Sequence, residues 1–396
     1  MKKSLLVLGP VLLFGCGGSG SSTAGTTVAK QVIASGLNQP MQYKAVPGQP
    51  TLAYVVERGG AIKVLVNDAV QATNLINIST LLSTTGEGGL LGMAFDPNFT
   101  TNRYIYLHFS TGAGVDTTIV RYTVNSTFLT ASTSSSQPIL KISQAPHDNH
   151  KGGSINFGGD NMLYVAMGDG GSGNDPLNRS QDKTTLLGKM LRINPTGDDY
   201  PTDADNNYSI PAGNPFLSDT TVRPEIWAFG LRNPFRWNYD SVLGGFLIAD
   251  VGQDAYEEVS YVGLANGGRN FGWRVREGKH ATTNSGPTFG SAFADPFVEY
   301  SHSQGRSITG GFVYRGTTLP ALSGRYLVAD FVLDGFWAIP VSLSGGEANS
   351  VSIPSTTPIS GGLNGTVSID PDANGEAVVT ELSPGTVSRL VPGTTP

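Results

Sequence analysis

The 396-residue chain has a single cysteine, Cys16, and only 14% charged residues. One cysteine excludes an intramolecular disulfide. With so few charges and a formal net charge of -6, the chain has no basic clusters for following a phosphate backbone, so nucleic acid is not an expected partner. Long apolar runs are missing as well. The run from Leu5 to Phe14 is shorter than the ~20 residues needed to cross a bilayer, which excludes an anchor helix there. Beyond it, no segment keeps an apolar stripe at helical spacing, which argues against a helical core. Glycine is abundant instead: 52 residues, near twice the usual share of roughly 7%. Many tight turns are expected.

Lys2, Lys3 and the short apolar run make residues 1–15 a signal peptide. The segment "LFGC" is similar to a bacterial lipobox, which would make Cys16 the lipidated mature N-terminus; plain signal cleavage is the alternative. Residues 16–27, rich in Gly, Ser and Thr, read as a flexible tether, and the folded domain is expected over 28–396. The expected location is the bacterial cell envelope, on the periplasmic or cell-surface side, with the membrane met only through the lipid.

Short runs of alternating β-branched and aromatic residues recur along the chain, so the fold class is all-β. "LAYVVERGGAIKVLV" (52–66) is a hairpin around Gly59-Gly60. Turn-then-strand units follow in "FDPNFTTNRYIYLHFS", "NFGGDNMLYVAMGDG", "NYDSVLGGFLIADVG", "LPALSGRYLVADF" and "IDPDANGEAVVTEL", six units in all. Such repetition predicts a β-propeller rather than a sandwich, because a blade cannot bury both faces alone. The final "TVSRLV" is expected to close the ring beside the first blade. Loops from different blades would then converge at one end of a central channel.

Several loops carry residues able to do chemistry. His150, beside Asp148 and Asn149 on a glycine-bordered loop, is either a proton-transfer group or a solvated histidine; a metal pair with His147 lacks a third ligand at fixed spacing. His108 lies inside a strand and reads as structural. In "GLRNPFRW", Arg232 and Asn233 precede a proline-fixed corner, where the guanidinium either receives a carboxylate or ties down the turn. Asp169, Asp175 and Asp182, and Asp254, Glu257 and Glu258 with the carbonyls of Gly252 and Gln253, offer oxygens to calcium or stabilise turns.

The stretches "EGGLLGMAFDPNF", "NHKGGSINFGGDNMLYVAMGDGG", "LLGKMLRINP", "RPEIWAFGLRNPFRW", "ADVGQDAYEEV" and "GGRNFGWRVREG" together resemble the soluble glucose/sorbosone dehydrogenase family. "SITGGFVYRG" and "GRYLVADF" extend the likeness, which runs from about Val28 to the C-terminus. The resemblance implies a six-bladed propeller that uses pyrroloquinoline quinone and calcium. It implies His150 as general base, taking a proton from a sugar hydroxyl while hydride passes to the quinone, and Arg232 near the reacting quinone oxygen. Glu87, Asn149, Asn233 and Arg315 fall at cofactor-contacting positions, and Gly252 and Gln253 at the carbonyls that bind calcium.

The sequence departs from that pattern in "ISGGLNGTVSIDPD", where Leu363 and Gly365 stand in about the places of an arginine pair, with Arg306 a conceivable substitute. Asn149 replaces an acidic residue and Gln253 a proline. Burying carboxylates without partners costs several kcal/mol per ion, which would weaken cofactor binding. These departures are similar to those of cofactor-free relatives such as the propeller of hedgehog-interacting proteins. The expected activity is oxidation of an aldose, a small sugar substrate, with the electron acceptor unassigned. The rival is a non-catalytic propeller that binds a saccharide or a protein. A hydrolase lacks a visible nucleophile with a paired base.

Overall fold

A computed structural model of the chain describes residues 28–290 and 292–393. The expected signal peptide, Cys16 and the expected tether lie outside the described residues.

Six sheets stand around one axis as a six-bladed propeller. Blade 1 holds Pro40–Ala45, Leu52–Glu57, Ala61–Val66 and Ala69–Asn77; blade 2 holds Leu90–Phe95, Tyr104–Thr111, Asp116–Thr123 and Gln137–Ser143. Blade 3 holds Ile155–Phe157, Leu163–Met167, Lys189–Ile193 and Ile226–Phe229; blade 4 holds Arg236–Asp240, Gly245–Asp250, Tyr256–Gly263 and Val298–Ser301. Blade 5 has three strands, Ile308–Val313, Arg325–Asp330 and Phe336–Pro340. Blade 6 joins Thr366–Pro371, Ala377–Glu381 and Thr386–Pro392 to the first described strand, Val28–Ala34. That strand pairs antiparallel with Thr386–Pro392 (Lys30 opposite Leu390), so the ring closes inside blade 6 by interlocking the two ends of the chain. The strand containing "TVSRLV" does close the ring, but through this partner rather than against blade 1.

The alternating pattern gives each blade two buried faces. In blade 2, Ile105, Leu107 and Phe109 pack with Tyr54, Val56 and Val64 of blade 1. Tyr106, one residue out of phase, packs instead with Leu163, Val165 and Met167 of blade 3. A period of two in a strand covered on both sides requires this arrangement.

Most of the repeated units are the turn between a blade's innermost strand and its neighbour, and in four blades an aspartate fixes it. Asp96 accepts from the Asn98 N–H (2.9 Å), Asp160 from Met162 (3.2 Å), Asp240 from Val242 (3.0 Å) and Asp372 from Asn374 (2.8 Å). Each is a side-chain mimic of a backbone turn. These turns lie at one end of the channel. The loops entering the innermost strands therefore gather at the other end, and with them His150, Arg232 and Asn233.

At the axis the innermost strands are tied together by Arg236, fully buried in blade 4. Its Nε donates to the Val367 carbonyl of blade 6 (2.8 Å), Nη1 to Leu91 of blade 2 (3.0 Å) and Nη2 to Met41 of blade 1 (2.7 Å). Burial pulls the guanidinium down to about 10, with Asp370 opposing the shift, so it remains charged at neutral pH. Replacing Arg236 with Met leaves three buried carbonyls without their donor, at about 1–3 kcal/mol for each one that water cannot reach. Chemical denaturation of Arg236→Met is expected to show a loss of about 3 kcal/mol or more, only partly recovered in Arg236→Lys, whose ammonium cannot reproduce a planar fork. An unchanged midpoint would remove Arg236 as the tie.

Candidate active site

The loop before the innermost strand of blade 3 carries His150 with φ +54°, a left-handed conformation uncommon outside glycine. It is held from several sides. The His150 N–H donates to Glu87 Oε2 (2.7 Å), while Glu87 N–H donates to the Asp148 carbonyl (3.0 Å). Behind it the strand Leu163–Met167 runs into "GDGG", and a Cβ at Gly168 would sit 2.1 Å from the His150 carbonyl oxygen. Only glycine allows that approach.

The imidazole is buried, and its Nδ1 lies 2.6 Å from Asp169 Oδ1. Asp169 Oδ1 also accepts from the Gly171 N–H (2.9 Å), and Oδ2 from Trp273 Nε1 (2.8 Å). A carboxylate accepts, so Nδ1 is the donor to Asp169, and Nε2 has no hydrogen bond among the described residues. In the sequence alone, Asp169 reads as a calcium or turn residue. Its position inside "GDGG", a strand end where two glycines turn the chain back on itself, was the available signal.

Arg232 and Asn233 enter the same site from blade 4. The Asp169 N–H donates to the Arg232 carbonyl (2.8 Å), while the N–H groups of Arg232 and Asn233 both donate to Asp250 (2.8 and 2.6 Å). Burial pushes the Asp250 carboxyl up to about 7, against the pull of those two donors. The Arg232 guanidinium donates to the Val251 carbonyl (2.8 Å) and to Gln253 Oε1 (2.9 Å) and lies 5.6 Å over the Trp273 ring. It both secures its corner and faces the site. Asn233 Oδ1 accepts from the Gly152 N–H (3.0 Å).

Between these loops the channel opens into a chamber of about 260 Å³, whose walls include Glu87, Asn233, Phe235, Val251, Phe331 and Leu382. Its one lining cation is Arg58, whose Nε donates to the Gly88 carbonyl (2.8 Å) and Nη2 to those of Thr84 (2.9 Å) and Gly86 (2.6 Å), while Nη1 makes no hydrogen bond among the described residues.

Two expected cofactor contacts fall elsewhere. Arg315 follows the far end of its innermost strand, on the opposite rim, and pairs with Asp240 (Nη2 to Oδ1 2.9 Å). It cannot reach a group beside His150. Asn149 braces the neighbouring loop, its Oδ1 accepting from the Ser172 N–H (3.1 Å); neither it nor His150 nor Arg232 lines the chamber itself, which Glu87, Gly152 and Asn233 reach from the same loops. Arg306 is exposed, with Nε 3.4 Å from the His302 carbonyl, and Leu363 is buried between blades 5 and 6.

At the calcium position, Glu277 Oε1 accepts from four successive N–H groups, Gln253 (2.7 Å), Asp254 (2.9 Å), Ala255 (2.9 Å) and Tyr256 (3.1 Å). The loop's donors turn inward around this anion. The carbonyls of Gly252 and Gln253 take no hydrogen bond among the described residues. Those residues contain no group of three or more His, Cys, Asp or Glu side chains placed to hold a metal. Neither Glu277 nor Lys151 was singled out in the sequence. Lys151 is buried with no partner for Nζ, and burial pulls its ammonium down to about 8 although Asp148 and Glu87 oppose this.

A propeller whose entry loops assemble a histidine–aspartate pair over a chamber defines the class, and the relatives name the family. The Glucose / Sorbosone dehydrogenase family matches residues 37–350, and the chain belongs to it. The HIPL1 protein of Arabidopsis thaliana is 36% identical over 309 residues, 64% of this chain and 44% of that protein. The human Hedgehog-interacting protein is 26% identical over 322 residues, 76% of this chain and 42% of that protein. The chain thus spans less than half the length of these relatives. The PQQ-bound aldose sugar dehydrogenase of Streptomyces coelicolor has the same fold, with a TM-score of 0.67 at 23% identity, over 92% of this chain and 97% of that one.

Behind the site, His108 is fully buried in blade 2 with Nδ1 3.1 Å from the Gly153 carbonyl, and burial pulls its imidazole down from 6.5 to about 4. Between these two values the unfolded chain takes up a proton that the folded chain refuses, so stability is fully present above 6.5 and falls as pH falls toward 4. The contribution is bounded at about 3 kcal/mol. His108→Asn keeps a donor for Gly153 without titrating, and its denaturation midpoint is expected to lose this part of the acid dependence. An identical pH profile would place the proton uptake elsewhere.

Proposed function

We propose that the chain is a sugar dehydrogenase acting outside the cytoplasm, in which His150 is the base that removes the proton from a sugar hydroxyl. The observation that carries this reading is the His150–Asp169 contact, which leaves Nε2 without a hydrogen bond among the described residues, while the His150 N–H is bound to Glu87 of the chamber wall. Asp169 holds the tautomer and stabilises the imidazolium formed on proton transfer, and Trp273 fixes the carboxylate's orientation. Glu87 and Asn233 supply hydrogen-bonding groups to the sugar's other hydroxyls, while Phe235 and Phe331 supply an apolar wall.

Pyrroloquinoline quinone, when bound, supplies the hydride acceptor. Its reacting edge would be held by Arg232 and Asn233, and calcium by the carbonyls of Gly252 and Gln253. The carboxylate-bearing edge is served less well, because Arg58 is the one cation on the chamber wall, Arg315 is on the far rim and Arg306 is outside the chamber. This supports weak holding of the quinone, since carboxylates removed from water need paired donors.

The same shortage of cations favours a second reading, a propeller that binds a saccharide or a protein partner without turnover. The two part in one experiment. The purified protein is titrated with pyrroloquinoline quinone and calcium, and aldose oxidation is followed with an artificial electron-accepting dye. Turnover that saturates with added quinone and falls roughly 10²-fold or more in His150→Ala and in Asp169→Asn supports the dehydrogenase. Absence of turnover at about 100 μM quinone, roughly -5.5 kcal/mol of binding, with the fold intact and sugar still bound, supports the non-catalytic propeller.

A further inference from the structure

We infer that the end of the channel opposite His150 is a second binding site, separate from the first, for a small neutral polyol of monosaccharide size. Arg236 and the three carbonyls it holds form the floor between the two. Met41, Leu91 and Val367 line the upper chamber, and Arg236 itself lines the lower one.

The lower chamber has a volume of about 210 Å³. That is many times the roughly 15 Å³ that one water requires and below the roughly 300 Å³ at which drug-sized pockets begin. Its ligand is therefore small. On its walls, Asp370 Oδ2, Ser368 Oγ and Asn238 Oδ1 are buried without a hydrogen-bond partner. Ser368 is 1% exposed and Asp370 is 7% exposed, so this desolvation is nearly complete. A native interior rarely leaves such atoms unpaired, and with Trp237 Nε1, likewise buried and unpartnered on a residue of this wall, four such atoms call for a ligand that both donates and accepts.

Charge decides what kind of donor. The Lys44 ammonium lies 3.2 Å from Asp370 Oδ1, leaving Oδ2 open. Arg236 and Lys44 oppose a cation, and the Asp370 carboxylate opposes an anion. Neutral hydroxyls satisfy both conditions: they donate to Asp370, Asn238 and Ser368 and accept from Lys44. The rings of Tyr239 and Phe312, also in the wall, offer apolar surface to a sugar's C–H face.

The site does not depend on the dehydrogenase reading and is tested without quinone. D-Glucose is titrated into the wild-type protein and observed by saturation-transfer NMR and calorimetry. Two lower-chamber variants are compared with it: Asn238→Ala, whose side chain makes no hydrogen bond within the protein, and Ser368→Leu, which fills the space. His150→Ala serves as the upper-site control. The expected result is a binding event that survives in His150→Ala and weakens at least tenfold in Asn238→Ala, with its unfolding midpoint unchanged, and in Ser368→Leu. No binding in the wild type, or binding that both lower-chamber variants leave intact, would mean that the chamber holds water only and would overturn the inference.

Discussion

Six twisted sheets around an axis leave a channel between their innermost strands, and here the guanidinium of Arg236 closes its waist. Three carbonyls from three other blades converge on one planar group, so the positions of blades 1, 2, 4 and 6 are fixed together. A hydrophobic side chain would fill the space but leave those carbonyls unpaired, and a lysine could not direct donors along the same set of lines. The glycines around the axis follow from this. A Cβ at Gly153 would lie 2.8 Å from Arg236 Nη1, and one at Gly310 would lie 2.6 Å from the Arg236 carbonyl oxygen.

The site inherits its rigidity from that centre. His150 and Arg232 each sit a few residues before an innermost strand, so neither loop has length in which to drift. Between them runs a continuous path: His150 to the Asp169 side chain, Asp169 N–H to the Arg232 carbonyl, and Arg232 N–H to Asp250, which ends a strand of blade 4. The unusual backbone of His150 persists because Glu87, Gly168 and Asp169 leave it no alternative.

Patterns local in the chain were legible before the structure. Alternation gave the strands, and the aspartate-bearing turns gave the repeat, because both depend on neighbours within a few residues. The likeness carried His150, Arg232 and Asn233 to one end of the channel, where they meet. Features fixed by the ring were not legible. Nothing in "VAKQVIA" announces a strand of the last blade, since its partner lies more than 350 residues away. "GLRNPFRW" offers two arginines, and attention fell on Arg232; that Arg236 points to the axis follows from being the first residue of an innermost strand. Arg315 was misplaced for a related reason. A motif gives the strand, but which rim a residue reaches depends on which end of that strand it follows.

The dyad and the chamber impose different demands on a ligand. Asp169 already takes bonds from His150, Gly171 and Trp273, so the pair is complete as a folded element and would persist in a chain that performs no chemistry. What exceeds structural need is Nε2, which makes no hydrogen bond among the described residues. The chamber sets one carboxylate, Glu87, against one guanidinium, Arg58, a balance that suits neutral hydroxyl-bearing molecules and leaves a multiply charged anion short of partners. A sugar meets both conditions; a tricarboxylate quinone meets only the one at its reacting edge. On the dehydrogenase reading, the electrostatics of the chamber, more than the presence of the base, therefore decide whether a quinone can be held beside it.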